Sequence, residues 1–205
     1  MARLVAEMTM SLDGFIALPD DSIGGLFDWY GNGPVEIPTA RPDMTWHVTE
    51  ASAEHLRRTM SAGALLVGRR IFDITHGWDG NHPIDCPIVV LSHTIPDGWP
   101  RDGVPYTFVT SGFQDAVAEA EKLAGDKDIG LAGPDIIRQA LDAGLLAEIR
   151  VNLAPWLLGS GIRFLRSPGQ RPGETRTDPG DRGRRRHALV LQCPPPPGLL
   201  SPPDP

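Results

Sequence analysis

Apolar residues fall along the chain in short runs, separated by stretches whose apolar positions recur at helical spacing. Leu4-Val5-Ala6-Glu7-Met8-Thr9-Met10 predicts an opening strand, ended by the turn formers of Ser11-Leu12-Asp13-Gly14. Residues 17–45 contain Pro19, Gly24, Gly25, Gly31, Gly33, Pro34, Pro38 and Pro42, which predicts a long loop with one short structured piece at Leu26-Phe27-Asp28-Trp29-Tyr30. Loops of that length inside a compact domain are commonly functional.

Thr49 is placed to cap a helix running to about Met60, and Ala64-Leu65-Leu66-Val67 predicts a buried strand that opens a second helix at Gly68-Arg69-Arg70. Pro87-Ile88-Val89-Val90-Leu91 and Tyr106-Thr107-Phe108-Val109 predict two further strands. Ser111 is the expected cap of a helix that buries Phe113, Ala116, Val117, Ala120, Leu123 and Ala124 and stops at Gly125. Strand Ile129-Gly130-Leu131 leads into a helix with Pro134 at its first position and Gly144 past its end. Glu148-Ile149-Arg150-Val151-Asn152-Leu153 completes the set as an alternating strand. Strands alternating with helices imply an α/β fold with a mostly parallel central sheet and helices on both faces.

After Leu165 the pattern breaks. Ten prolines and five glycines fall in residues 166–205, with seven arginines against four acids, whereas residues 1–165 hold twelve bases and twenty-two acids. Only His187-Ala188-Leu189-Val190-Leu191 reads as a strand there. The expected division is a folded domain over 1–165 and a tail over 166–205 that is disordered by composition or the product of a shifted reading frame. Two lysines against seventeen arginines indicate a GC-rich coding sequence, in which a shifted frame yields Arg, Pro and Gly.

Composition narrows the function. A chain of 205 residues with 40% hydrophobic content supports one sizeable core. No run approaches the roughly 18–20 apolar residues needed to span a bilayer. Glu7 and Asp13 break any secretory apolar stretch, so a cytoplasmic protein is expected. The formal net charge of −7 argues against nucleic acid and anionic membranes as partners. Cys86 and Cys193 are far apart and without ligand spacing, so neither a disulfide framework nor a structural zinc site is suggested, and His47, His55, His76 and His82 are scattered and read as solvated or capping residues rather than metal ligands. Hydrolase, P-loop and zinc-deaminase motifs are absent from the sequence.

Three places could carry chemistry. At Gly133 a strand meets a helix, where a glycine admits a phosphate close to the backbone and free N–H groups favour an anion; the same residues also read as a plain N-cap. Arg69 and Arg70 stand at a helix start, where the dipole disfavours cations unless an anion is bound, and Ser92-His93 follows a neighbouring strand in the equivalent place; solvated charge is the other reading. Asp13 sits among Met10, Leu12, Phe15 and Ile16, a carboxylate beside a dry wall as a reductase requires, or a turn residue.

In order and spacing, four blocks carry a family resemblance. They are Met8-Thr9-Met10-Ser11-Leu12-Asp13-Gly14-Phe15-Ile16-Ala17, Leu66-Val67-Gly68-Arg69-Arg70-Ile71-Phe72-Asp73, Val89-Val90-Leu91-Ser92-His93, and the run from Leu131-Ala132-Gly133 to Leu158-Gly159-Ser160-Gly161-Ile162-Arg163-Phe164. Over residues 1–165 the chain resembles the dihydrofolate-reductase-like reductase domain of bacterial bifunctional riboflavin-biosynthesis deaminase-reductases and its stand-alone relatives. The resemblance implies a three-layer fold with NADPH across the carboxyl edge of the sheet. Gly68, Arg69, Arg70, Ser92 and His93 would hold the adenosine and 2′-phosphate, and Ala132, Gly133, Pro134, Asp135 and Ile136 the pyrophosphate. Leu158 and Gly159 would meet the nicotinamide, and Asp13, Gly14 and Phe15 the substrate, with Asp13 as the catalytic residue that orients it. A homodimer acting on a pterin- or pyrimidine-like small molecule is the implied assembly. The family usually has Gly-Gly at Ala132-Gly133, a small hydroxyl residue at Ile71, Asp-Glu at Ala147-Glu148, a small aliphatic at Trp156, and a final hairpin whose absence would expose a sheet edge. Two functions remain open: an NADPH-dependent reductase, or a nucleotide-binding or dimeric interaction protein that keeps the fold without turnover.

Overall fold

The structure is a computed structural model that describes residues 2–165 and 188–192. Eleven strands and four α-helices occur among them, in the order β1 (Leu4–Ser11), β2 (Phe15–Ala17), β3 (Val35–Pro38), β4 (Thr45–Val48), α1 (Glu50–Thr59), β5 (Ala64–Gly68), α2 (Arg69–Ile74), β6 (Ile88–Leu91), β7 (Tyr106–Val109), α3 (Phe113–Ala124), β8 (Ile129–Ala132), α4 (Pro134–Asp142), β9 (Leu146–Ala154), β10 (Ile162–Arg163) and β11 (Ala188–Gln192). The central sheet has the order β11-β9-β1-β8-β5-β6-β7, and every pairing in it is parallel.

Alternation along the strands decides which helix covers which face. Leu4 and Ala6 of β1, Ala64 and Leu66 of β5 and Ile129 and Leu131 of β8 point one way, into a core closed by Phe113, Ala116, Val117 and Ala120 of α3 and Ile136, Ile137 and Ala140 of α4. Leu65 and Val67 of β5 and Ile88 and Val90 of β6 point the other way, onto Phe72 of α2. A third cluster joins Ala53 and Leu56 of α1 to Trp29, Ile37 and Val48. Burying each such Leu, Ile or Val contributes about 1.5–3 kcal/mol, so the two faces together are the main stabilising term.

Several expectations are corrected. The expected loop holds its short structured piece, a 3₁₀ turn at Asp28–Tyr30, but also β3, which pairs with β4 at the loop's end as an antiparallel hairpin. Its prolines concealed the hairpin, since Pro38 is harmless at a strand end. Helix α1 is capped as expected, Thr49 Oγ1 accepting from Ser52 N at 3.3 Å, but α3 is capped by Gly112 with no side-chain bond, and Ser111 stays exposed. In the tail, the candidate strand forms as β11, which pairs in parallel along β9 from Ala188↔Glu148 to Gln192↔Asn152. The edge of β9 is therefore covered, because an open row of backbone donors and acceptors gains by pairing with an apolar run. The remainder of the tail reading lies outside the described residues.

Beneath α1 the sheet carries charge where a core would be apolar. Arg150, with its side chain 4% exposed, donates from Nε to Glu148 Oε1 at 2.8 Å, and lies 3.6 Å from Glu7 and 3.4 Å from Asp128. Arg58 of α1 and Arg3 also bond Glu148, and Arg3 reaches Asp128 at 2.6 Å. His55, read from sequence as solvated or capping, is buried with Nε2 2.8 Å from Glu7 Oε1. His82 is half-buried and plays the local capping part, accepting from Ile84 N at 3.0 Å, and burial pushes it down to about 4.

The hydrogen bond from Arg150 holds the Glu148 carboxyl below its ordinary value against the cost of burial, and Arg3 does the same for Asp128. For Glu7, burial opposes ionisation most strongly, but His55, Thr59 and Arg150 outweigh it. Carboxylates with lowered values stabilise the fold above their unfolded values and lose that stabilisation as pH falls. The carboxylates' share of stability to urea is therefore expected to be flat near neutrality and to decline below the ordinary Glu and Asp values of 4.5 and 3.8, whereas His82, kept neutral by burial, already costs stability as pH falls below its ordinary value of 6.5. Glu148→Ala leaves Arg150 buried without its main partner, and a loss of about 3–5 kcal/mol in urea unfolding is expected. A loss under about 1 kcal/mol, the level of a surface pair, would contradict the network's buried character.

Candidate functional site

Because all seven strands run parallel, every loop that leaves a carboxyl end starts on one edge of the sheet. Across β9-β1-β8-β5-β6 these loops present, in spatial order, Leu158-Gly159, Asp13-Gly14, Gly133-Pro134-Asp135, Gly68-Arg69-Arg70 and Ser92-His93. The strand-end loops expected from sequence thus all start on the same edge. With strands about 4.8 Å apart, four steps give a row of roughly 19 Å.

At the β5–β6 end the arginine and the serine do meet. Arg69 Nη1 lies 3.4 Å from Ser92 Oγ and donates to Thr94 O at 3.1 Å, while its Nε bonds Asp73 at 2.7 Å. Ser92 Oγ donates to Thr94 O at 2.6 Å. Thr94 escaped the sequence reading, although a serine two residues ahead is the signature of a hydroxyl turn. His93 is exposed beside them. Arg70 is held elsewhere: its guanidinium forks onto Asp21, Nε to Oδ1 at 2.9 Å and Nη2 to Oδ2 at 2.8 Å. Asp21 comes from the loop after β2, 49 residues away in sequence, and nothing local in the sequence marked it. The hydrogen bond to Asp21, its charge and the nearby charge of Asp135 raise the Arg70 value, so this cation already has an anionic partner.

At the centre, Gly133 caps α4 with φ +98°, a conformation that side chains resist, and a Cβ built there would meet nothing within 4 Å. The space in front of it is open. The first α4 bond runs from Ile137 N to Gly133 O, so the N–H groups of Asp135 and Ile136 belong to the first turn, which has no intrahelical acceptors. Pro134 supplies no donor. The Ile136 side chain is in the core and packs against Gly68, so only its backbone faces the edge. The Ala132 methyl packs against the second core cluster rather than toward the loop, so the departure from Gly-Gly leaves the approach to Gly133 clear.

At the β1–β9 end, Asp13 is fully engaged. Its Oδ1 accepts from Ser11 Oγ at 2.6 Å and from Leu158 N at 3.2 Å, and its Oδ2 accepts from Gly159 N at 2.7 Å. The Ser11 bond, with help from the two amides, holds the carboxyl below its ordinary value. Phe15, expected at the substrate, is buried, with the Arg163 guanidinium 4.5 Å over its ring. The apolar groups exposed here are instead Leu12 and Leu157, the latter 72% exposed. Trp156 neither crowds the core nor fills the edge: its indole covers Gly25.

Two open depressions of about 430 and 510 Å³ lie elsewhere, one between β7 and α3 and one between β3 and α1. Their linings, such as Thr107 and Lys122 or Ile37 and Arg57, bring together no donors in a pattern suited to a particular ligand. Among the described residues no cluster of His, Cys, Asp and Glu is placed to hold a metal ion, and no helix is long and apolar enough to cross a membrane.

Residues 2–178 match the family described as the RibD C-terminal domain. The chain belongs to that family. The match runs past residue 165, into the compositionally distinct tail. Among solved structures, this RibD C-terminal domain is similar to one from Shewanella sp. PV-4 described as a riboflavin biosynthesis protein, with TM-score 0.60 and 22% identity over 83% of this chain and 86% of that one. It is also similar to a diaminohydroxyphosphoribosylaminopyrimidine deaminase/5-amino-6-(5-phosphoribosylamino)uracil reductase from Thermotoga maritima, with TM-score 0.52 and 12% identity over 83% of this chain and 50% of that one. For RibD of Acinetobacter baumannii the TM-score is 0.50, with 18% identity over 84% of this chain and 51% of that one. The chain spans about half the length of the last two. At these identities the likeness shows the dihydrofolate-reductase-like fold. No curated protein matches the sequence.

Two glycines test this geometry. Gly133→Ala meets only backbone strain at φ +98° and is expected to cost about 1–3 kcal/mol in urea unfolding. Gly161→Ala adds a collision with Ala17 O to its own φ of +148° and is expected to cost more. The reverse ranking would mean that the 155–161 turn does not lie against β2 as described.

Proposed function

We propose that this RibD C-terminal domain is an NADPH-dependent reductase of a pterin- or pyrimidine-like small molecule, with 5-amino-6-(5-phosphoribosylamino)uracil as the reference substrate suggested by its family. The observation that carries the reading is the row of loops along one sheet edge, about as long as an extended dinucleotide. The residues present fit such a cofactor. Arg69, Ser92 and Thr94 converge at one end, where a phosphate would replace intramolecular partners with charge-assisted bonds. Open space before Gly133 and the first-turn amides of α4 suit a pyrophosphate. Asp13, Leu158 and Gly159 mark the opposite end, where the exposed Leu12 and Leu157 would shield a flat ring from water.

When bound, NADPH supplies the hydride, and the chain's work is to position and shield. Arg70 is a restraint as well as a resource, since Asp21 must release it before it can hold a phosphate. The reading includes a cytoplasmic protein and a homodimer, for which a second copy would cover one of the outer sheet edges at β7 or β11.

The deciding experiment is calorimetric titration of the full chain with NADPH and NADH, followed by absorbance assays at 340 nm with pterin and pyrimidine substrates. Saturable binding that favours NADPH, together with consumption, is expected. Absence of binding would sink the proposal, and binding without consumption would favour a nucleotide-binding protein that keeps the fold without turnover. Arg69→Ala is expected to weaken NADPH by about ten- to a hundredfold, the loss of a hydrogen bond to a charged group, and NADH much less. Asp21→Asn should tighten NADPH by about two- to fivefold, since an exposed ion pair is worth about 0.2–1 kcal/mol.

A further inference from the structure

We propose that Asp13 is a positioning residue that clamps the 157–161 turn to the loop after β1, acting on the reaction through that turn and not as a proton donor or acceptor. The inference rests on the reductase reading for what the turn borders, but the clamp itself stands on local geometry. Both carboxylate oxygens are in use, for one hydroxyl and two backbone amides. Ser11, which orients the carboxylate, is completely buried, and its Oγ is bound on both sides, donating to Asp13 at 2.6 Å and accepting from Phe15 N at 2.9 Å. The carboxylate therefore has little freedom to swing toward a ligand.

The turn has few anchors of its own. Gly159 and Gly161 have φ of +73° and +148°, and Leu157 projects into solvent. What fixes the turn is backbone bonding: Trp156 O accepts from Leu12 N at 2.8 Å, Leu158 N and Gly159 N donate to Asp13, and Phe164 N donates to Gly14 O at 3.1 Å. Two of these four bonds end on one side chain. A carboxylate suits this place because it accepts two amides and a hydroxyl at once, with no donor of its own to repel them. Its lowered value keeps it in that acceptor form. The charged group facing it is Arg163, whose Nη1 lies 3.5 Å from the Asp13 carbonyl.

The test compares Asp13→Ala, Asp13→Asn and Ser11→Ala in the full chain, by hydrogen exchange of peptides covering 157–161 and by NADPH-dependent turnover as a function of pH. Asp13→Ala is expected to speed exchange at Leu158 and Gly159 by about tenfold or more, as for loss of charge-assisted bonds. Asn keeps one carbonyl acceptor, so Asp13→Asn should recover exchange protection and kcat/KM together and in part, with the acid limb of the pH profile unmoved. Ser11→Ala, which leaves both amides bonded, should do least and serves if Asp13→Ala does not fold. Unchanged exchange in Asp13→Ala overturns the clamp. So does an Asp13→Asn protein with wild-type exchange that is as inactive as Asp13→Ala, or one that has lost the acid limb, since either makes the carboxylate's proton the essential feature. A wild-type chain without NADPH-dependent turnover would refute the reductase reading, and the exchange data would still decide the clamp.

Discussion

Parallel pairing is the constraint on which the molecule depends. A parallel ladder admits no hairpin between neighbouring strands, so each of β5, β6, β8 and β9 is reached by a crossover, and every carboxyl end opens on the same edge. The chain first builds outward through β5, β6 and β7, then returns to insert β8 beside β1 and adds β9 on the other side. That return moves the connecting helices from one face, with α1 and α2, to the other, with α3 and α4. Asp13 and Gly133, 120 residues apart, come to leave adjacent strands for this reason.

The same topology accounts for the charge beneath α1. The strand positions of Glu7, Glu148 and Arg150 face α1, which offers His55, Arg58 and Thr59 rather than an apolar stripe. Such a cluster is weak evidence for stability, since desolvation offsets much of the attraction, but its members are mutually dependent once buried. It ties β1, β8, β9 and α1 together through directional bonds, and β1, β8 and β9 carry one end of the edge proposed as the site.

Along that edge, charge is already paired within the chain. Asp21 holds Arg70, Asp73 and Thr94 hold Arg69, and Asp13 holds the turn after β9. The anionic ligand proposed for this edge would compete with carboxylates that are present at high local concentration, so its affinity would depend on differences between bonds rather than on net positive charge. This is consistent with a chain of formal charge −7 that still assembles arginines and helix amides where a phosphate is expected.

The local pattern was sufficient to read the central elements, because periodicity and capping act over a few residues: Thr49 before α1, Pro134 at the start of α4, and the apolar runs of β5 and β6 all speak for themselves. The blocks around Asp13, Arg69, Ser92 and Gly133 were legible for the same reason, since each is a strand end joined to a turn. Contacts formed over long sequence distances were not. Proline content hid the β3–β4 hairpin, tail composition hid the pairing of β11 with β9, and no spacing rule links Asp21 to Arg70 or Glu7 to His55. By itself the sequence determined which segments of the central sheet and its covering helices would be strands and helices, because periodicity and capping depend on neighbours in the chain. Only the tertiary structure decided that Asp13 spends its carboxylate on the backbone of Leu158 and Gly159, because a hydrogen bond across 145 residues exists only after the sheet has brought β1 and β9 side by side.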